Sequence, residues 1–273
     1  MEYAMDFNAW LRSRGNIEMT DKFCDIHGMY CRRIRRPEGG WTSAECEACM
    51  REQLEIEKRE KAIGATLNSK LKKTYHVFYD QSEVAPGLKG KDLKNFKAES
   101  DADKKALAFA RRVARDYQKG THTGNTIFIG NAGVGKSHLA LGIAKELNHQ
   151  FKTYNENGSV LFMPVASLMS KIKQSFDGRG YYTEEFAKKL LTDCDYLVLD
   201  DLGKESTNGN QIKPASPWVY QFLFSILENR EKTIVTTNFT FEELRQIYDD
   251  SLLDRLTKGS KDYTLKMAGE SKR

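Results

Sequence analysis

The sequence has no apolar run approaching the roughly 20 residues that a helix needs to cross a bilayer. Its first residues, MEYAMDFNAWLRSRGN, also lack the charged-then-apolar layout of a secretory signal, so the expected compartment is the cytoplasm. Cysteine is scarce, five in 273 residues, and four of the five fall between positions 24 and 49. A disulfide framework explains that crowding poorly in a reducing compartment, and metal binding explains it better. Charge of one sign is not in large excess: the net +5 permits contact with nucleic acid without requiring it. Internal repeats and low-complexity tracts are missing as well. What remains is 40% hydrophobic and 30% charged residues, enough for a core with a solvated surface, in a chain long enough for one ordinary domain and a small appended module.

Three segments follow from the composition. Residues 1–50 hold the cysteine cluster and a basic run, and 51–75, beginning REQLEIEKREK, form a charged stretch of helix-forming residues that reads as a connector. From 76 to 273, short apolar runs alternate with helical periods. The runs are TIFI (126–129), VLFM (160–163), YLVL (196–199) and TIVTT (233–237). Between them, Ala106, Phe109, Ala110, Val113 and Tyr117 mark one helix by their spacing, and others are expected at 137–148, around VASLMSKIKQSF and around WVYQFLFSILENR. Thr240 with Glu243 forms a capping box for a short helix FEELRQIY, followed by SLLDRL and an extended YTLKM. Alternation of this kind predicts an α/β fold with a parallel sheet covered by helices on both faces.

GNAGVGKS, residues 130–137, is a complete GxxxxGK[ST] motif between an apolar run and an amphipathic helix. Gly130, Gly133 and Gly135 free the loop to turn its N–H groups, with those of Asn131, Ala132 and Val134, onto phosphates, and the helix N-terminus at Lys136, Ser137 and His138 adds its positive end. Lys136 is expected between the β- and γ-phosphates of ATP, and the Ser137 hydroxyl on Mg²⁺. In DYLVLDDLG an apolar strand ends in two carboxylates: Asp200 is expected to help hold Mg²⁺ and Asp201 to orient the attacking water. Asn238, ending the TIVTTN run, is placed to hydrogen-bond that water and the γ-phosphate. Nothing resembles the substrate lid of a small-molecule kinase.

With GNAGVGKSHLALGIA, YLVLDDLGKE, IVTTN, SLLDRL and the terminal AGESKR, the chain from about residue 80 onward resembles the bacterial replicative helicase loaders of the DnaC and DnaI type and the related IstB-type transposition ATPases, all AAA+ proteins. The resemblance implies ATP hydrolysis to ADP and phosphate, with Asn238 as first sensor and Arg255 of SLLDRL as an arginine finger reaching a neighbouring subunit. It implies Arg273 as second sensor. An ion pair of Arg255 with Asp254 or Glu243 is the competing expectation. It also implies three partners: a hexameric replicative helicase, single-stranded DNA, and further copies of the chain through the AAA+ domain. A transposition helper and a nucleotide-gated adaptor with little turnover are the alternatives. Asp201 stands where AAA+ proteins commonly carry Glu.

Near the N-terminus, Cys24 and His27 (CxxH) are followed after 18 residues by Cys46 and Cys49 (CxxC), spacings that suit tetrahedral Zn²⁺ between two knuckles. Cys31 is expected to stay free. Arg32, Arg33, Arg35 and Arg36 are expected in the loop between the knuckles, near Trp41, where they suit nucleic acid, an acidic protein or plain solvent alike. By the resemblance this module grips the helicase, and Phe7, Trp10 and Leu11 extend its surface or pack on it.

Overall fold

The computed structural model describes residues 15–70, 74–176, 182–208 and 211–269. The chain divides into two compact units, Met1–Thr66 and Leu67–Arg273. In the first, β1 (Ile17–Cys24) and β2 (Met29–Ile34) form an antiparallel hairpin, and α1 (Glu47–Lys70) follows. Cys31 and Cys46 are the only buried apolar side chains among the described residues of this unit, whereas Met19, Phe23, Ile26, Met29 and Tyr30 are exposed. Burial of that extent cannot offset the entropy of ordering the chain, so something besides a hydrophobic core must hold it. Because α1 begins at Glu47, the charged stretch expected as a separate connector is continuous in helix with the cysteine module.

The arginines depart from expectation. Arg32 and Arg33 belong to β2 rather than to a loop, and each meets an acid: strand pairing sets Arg33 beside Glu18 of β1 at 2.8 Å, while Arg32 reaches Glu47 at the start of α1 at 2.9 Å. The Arg33 guanidinium also lies over the Trp41 ring, 5.2 Å from its centre. Arg35 and Arg36 remain exposed. Phe7, Trp10 and Leu11 lie outside the described residues.

The second unit is built on five parallel strands: β3 (Thr126–Gly130), β4 (Val160–Pro164), β5 (Tyr196–Leu202), β8 (Thr233–Thr237) and β9 (Thr264–Met267), in the order β4-β5-β8-β3-β9. The α/β expectation is met, and the strand interiors are largely apolar because both faces are covered. Successive residues serve opposite faces: Ile127 and Ile129 of β3 join one core, with Leu161, Met163, Leu197 and Val235, while Phe128 joins the other, with Phe162, Val198 and Ile234. The second core is roofed by α3 (Asp101–Gln118) and α4 (Lys136–Tyr154). The first is covered by α5 (Val165–Ser175), α6 (Glu184–Asp193), α7 (Pro217–Glu228), α8 (Phe241–Ile247) and α9 (Asp250–Leu256). Thr240 and Glu243 make the expected capping box at the start of α8.

Three elements were not anticipated: α2 (His76–Gln81), α6, and a two-residue ladder between β6 (Thr207–Asn208) and β7 (Gln211–Ile212). The signals for α6 were present in the sequence. Thr183 caps its N-terminus by accepting from the Phe186 N–H, Glu184 and Glu185 suit its first turn, and Phe186 and Leu190 fall one helical turn apart on the buried face. Among the described residues no helix is long and apolar enough to cross a membrane.

A stack of rings fastens α3 to β9. The Arg112 guanidinium lies 4.9 Å from the Tyr263 ring centre, Tyr263 stacks on His122 at 3.4 Å, and His122 stacks on Tyr117 at 4.5 Å. His122 is buried, and that burial pushes its pKa down to about 4. The folded protein therefore holds the imidazole neutral, while the unfolded chain takes up a proton below about 6.5. Stability from this group is complete above 6.5 and is lost as pH falls toward 4. Urea midpoints at pH 7 and pH 4.5 should show it: His122→Phe, which keeps the stacking and cannot titrate, is expected to lose less stability on acidification than the wild type. An equal loss in both proteins would contradict it.

Candidate nucleotide and metal sites

Parallel strands deliver their carboxyl ends to one edge of the sheet, where β3 ends in the 130–137 loop, β5 in Asp200 and Asp201, and β8 in Asn238. Because β8 lies between β3 and β5, Asn238 falls between the loop and the acids. The loop is shaped by its surroundings. At Gly130 a Cβ would sit 2.2 Å from the Met267 carbonyl of β9, and at Gly135, with φ 98°, it would meet the Phe96 ring at 2.7 Å. No side chain fits either place. Gly135 then caps α4, whose first turn carries Lys136 and Ser137.

Lys136 is buried, and its ammonium donates to the Gly130 carbonyl at 2.7 Å, the Asn131 carbonyl at 2.8 Å and Asn238 Oδ1 at 2.7 Å. The loop and the end of β8 are thus joined through one cation. His138 turns the other way. Its Nε2 lies 2.8 Å from the Asp92 carbonyl and 3.0 Å from Asn95 Oδ1, both acceptors, so Nε2 carries the proton. Burial lowers the pKa of this ring. The segment it touches, with Leu93, Asn95 and Phe96, lies against α4, and Lys145 Nζ donates to the Lys89 and Lys91 carbonyls there. Sequence reasoning gave this segment no role.

On β5 the register against β8 slips by one residue: Leu199 faces Val235 and Leu202 faces Thr237, so Asp200 and Asp201 together oppose Thr236. This is a β-bulge, and Asp201 adopts φ 57° within it. In a flat strand adjacent side chains point to opposite faces, and the bulge breaks that rule at the acidic pair. Asp200 is buried, and Thr236 Oγ1 donates to its Oδ1 at 2.6 Å. Burial holds the Asp200 carboxyl above the usual range. The Thr236 hydrogen bond opposes the shift, the Asp201 charge adds to it, and a hydrogen bond from Ser137 and the charge of Lys136 oppose it. Asp201 is half-buried, with Lys204 Nζ at 3.3 Å from its Oδ2.

In the N-terminal unit, Cys24 ends β1, His27 sits in the hairpin turn, Cys46 precedes α1 and Cys49 lies in its first turn. Cys24 Sγ is 3.7 Å from both His27 Nδ1 and Cys49 Sγ, and His27 Nδ1 is 3.7 Å from Cys46 Sγ and 3.3 Å from Cys49 Sγ. All four ligand atoms lie within 4.8 Å of one another. A tetrahedron with Zn–S bonds of about 2.3 Å and a Zn–N bond of about 2.0 Å has edges of roughly 3.5–3.8 Å, so this donor set fits zinc in geometry and in chemistry. Glu52 Oε1, 3.1 Å from His27 Nε2, orients the ring so that Nδ1 faces the sulfurs. Cys31 is buried and stands outside the group.

A model of the family described as IstB-like ATP binding protein matches residues 84–273. The chain belongs to this family. It is 26% identical over 182 residues to the replicative helicase loader DnaC of Escherichia coli K12, covering 67% of this chain and 69% of that protein. A protein of the insertion sequence IS5376 from Geobacillus stearothermophilus is 28% identical over 158 residues, 55% of each chain. Among solved structures, domain III of the replication initiation protein DnaA from Thermotoga maritima superposes with a TM-score of 0.50 at 17% identity, over 68% of this chain and 69% of that one, a likeness of fold alone. Like that family, the chain has the AAA+ architecture and an ATP-binding phosphate loop.

The remaining residues named from sequence sit elsewhere. Arg255 is on α9, its guanidinium over the Phe224 ring at 4.9 Å and 3.8 Å from Glu228, so its acidic partner is neither Asp254 nor Glu243. The Arg255 carbonyl accepts from Asn125, the residue preceding β3, so α9 lies at the opposite edge of the sheet from this chain's own phosphate loop. Arg273 lies outside the described residues. For the cysteine site, metal analysis of the purified full chain should return one zinc per chain. That zinc is expected to be lost in Cys46→Ser and Cys49→Ser and kept in Cys31→Ser; retention in either of the first two variants would break the assignment.

Proposed function

We propose that this protein is an ATP-hydrolysing loader of a hexameric replicative helicase. What carries this reading is the convergence at one sheet edge of Lys136, Asn238 and the Asp200–Asp201 bulge, in a chain whose ATP-binding family includes relatives named as helicase loaders. The phosphates of ATP would lie on the N–H groups of residues 130–137, and Lys136 would exchange loop carbonyls for phosphate oxygens. Ser137 and Asp200 would hold Mg²⁺, whose chemistry is to neutralise charge on the β- and γ-phosphates. Asp201 orients the water, since phosphoryl transfer needs positioning more than a strong base. Asn238, bonded to Lys136, reports whether the γ-phosphate is present.

Arg255, at the edge away from its own loop, suits an arginine supplied to a neighbouring copy, with Arg273 as second sensor. Hydrolysis then depends on assembly, because the cation that stabilises the transition state comes from another subunit. The zinc module, residues 1–50, binds the helicase, 51–75 connects it, and the AAA+ domain at 76–273 engages single-stranded DNA, in the cytoplasm. A transposition helper has less behind it, because the insertion-sequence relative matches a shorter span than DnaC does.

The tests are direct. Single-stranded DNA should stimulate phosphate release, and Lys136→Ala should abolish both hydrolysis and helicase loading; unaffected loading would refute the proposal. Arg255→Ala should bind ATP normally but hydrolyse it about 10³-fold more slowly, the low end for a trans-acting arginine. Mixing Arg255→Ala with Lys136→Ala should restore part of the activity, since each variant supplies what the other lacks. No phosphate release in a single-turnover assay of the wild type would point to the adaptor alternative instead.

A further inference from the structure

The acidic pair owes its arrangement to a residue on the neighbouring strand. A β-bulge leaves its extra residue out of the ladder, so the Asp201 N–H has no regular partner on β8. It donates instead to Thr236 Oγ1 at 2.9 Å, and the same hydroxyl donates to Asp200 Oδ1 at 2.6 Å. One buried oxygen therefore accepts from the backbone of one acid and fixes the carboxylate of the other. Thr237 closes the far side of the bulge, its hydroxyl donating to the Leu202 carbonyl at 2.8 Å. Both threonines are fully buried. An alcohol buried this deep, between Val235 and Thr237 on a strand covered on both faces, costs desolvation unless its hydrogen bonds are made.

We propose that Thr236 is the positioning residue of the ATPase centre: its hydroxyl holds the bulge and aims the Asp200 carboxylate at the metal position beside Ser137, while its other bond sets the backbone from which Asp201 acts. This rests on the ATPase reading above and gives Thr236 a role distinct from that of Asn238, because its buried hydroxyl is already bonded to both acids. Val in its place keeps the branch and volume that pack between β3 and β5. The hydroxyl alone is removed, leaving the Asp201 N–H unpaired and the Asp200 carboxylate with one fewer donor.

The full-length chain carrying Thr236→Val or Thr236→Ser tests this. Thr236→Val is expected to lower kcat by about 10- to 100-fold, the usual penalty for losing a residue that orients a metal ligand. It should raise the Mg²⁺ concentration for half-maximal activity by a similar factor, with little change in the KM for ATP measured at saturating Mg²⁺. Thr236→Ser, which retains the hydroxyl, should recover kcat and the Mg²⁺ midpoint to within a few-fold of wild type. Thermal melts without Mg²⁺ establish that both variants fold. Unchanged kcat and Mg²⁺ midpoint in Thr236→Val would overturn the proposal, as would a serine variant no better than valine. Mg²⁺-dependent affinity for a fluorescent ATP analogue reads the same arrangement without turnover. A wild-type protein that binds the analogue but releases no phosphate would refute the ATPase reading, and the effect of Thr236→Val on that affinity would still decide this one.

Discussion

Everything at the nucleotide site depends on five strands running in the same direction. A parallel ladder forces each strand to return through a crossover on one face, so all carboxyl ends share an edge and all loops that follow them can meet. Lys136, Asp200 and Asn238 come from segments far apart in sequence, yet each needs only to lie in the last residues of a strand or in the turn that follows it. The strand order adds a second constraint. With β8 between β3 and β5, the residue after β8 must lie between the phosphate loop and the acids, and the Lys136–Asn238 bond of 2.7 Å is the direct consequence.

Much of this was legible because it lives in local pattern. Four apolar runs alternating with amphipathic periods specify the fold class, and GNAGVGKS between such a run and a helix specifies a phosphate loop. What escaped was set by relations between segments. The bulge exists because β5 spends three residues covering the distance that β8 covers in two, a mismatch visible only once the two strands are in register. The acids of DYLVLDDLG were read correctly as a strand end, but nothing in the string tells that they share one hydroxyl of TTN. The segment holding Leu93, Asn95 and Phe96 was missed for a similar reason: it has no period of its own and takes its shape from α4. Arg32 and Arg33 were misplaced because a basic run looks like a loop until the fold sets each guanidinium beside a carboxylate, Arg33 by strand pairing with Glu18 and Arg32 by the approach of Glu47 on α1.

The two units solve the problem of order in different ways. In the second, alternating strand residues fill two apolar cores, each sealed by helices. In the first, among the described residues, the buried apolar positions are cysteines, and Met19, Phe23, Ile26, Met29 and Tyr30 face outward. Four ligand atoms drawn from the end of a strand, a turn, a loop and a helix would take the place of a core, because one metal bonded to all four would fix those elements together. A metal there would free the hairpin from packing duties. Its exposed apolar residues are then compatible with a stable module in a way they would not be in a domain held by hydrophobic burial.

The identity of residue 201 follows from the same bulge. With φ 57° it occupies the left-handed region, which costs an ordinary L-residue roughly 1–2 kcal/mol and which aspartate and asparagine tolerate better through local hydrogen bonds. A glutamate gains one methylene of reach but lacks that tolerance. The substitution of Asp for the Glu common in AAA+ proteins therefore need not signal a weakened site. The backbone turn at Asp201 is anchored through the Thr236 hydroxyl, so the bulge and not the side-chain length sets where this carboxylate stands. If Thr236 positions the acids as proposed, reach and strain trade against each other at residue 201 through the buried hydroxyl on β8.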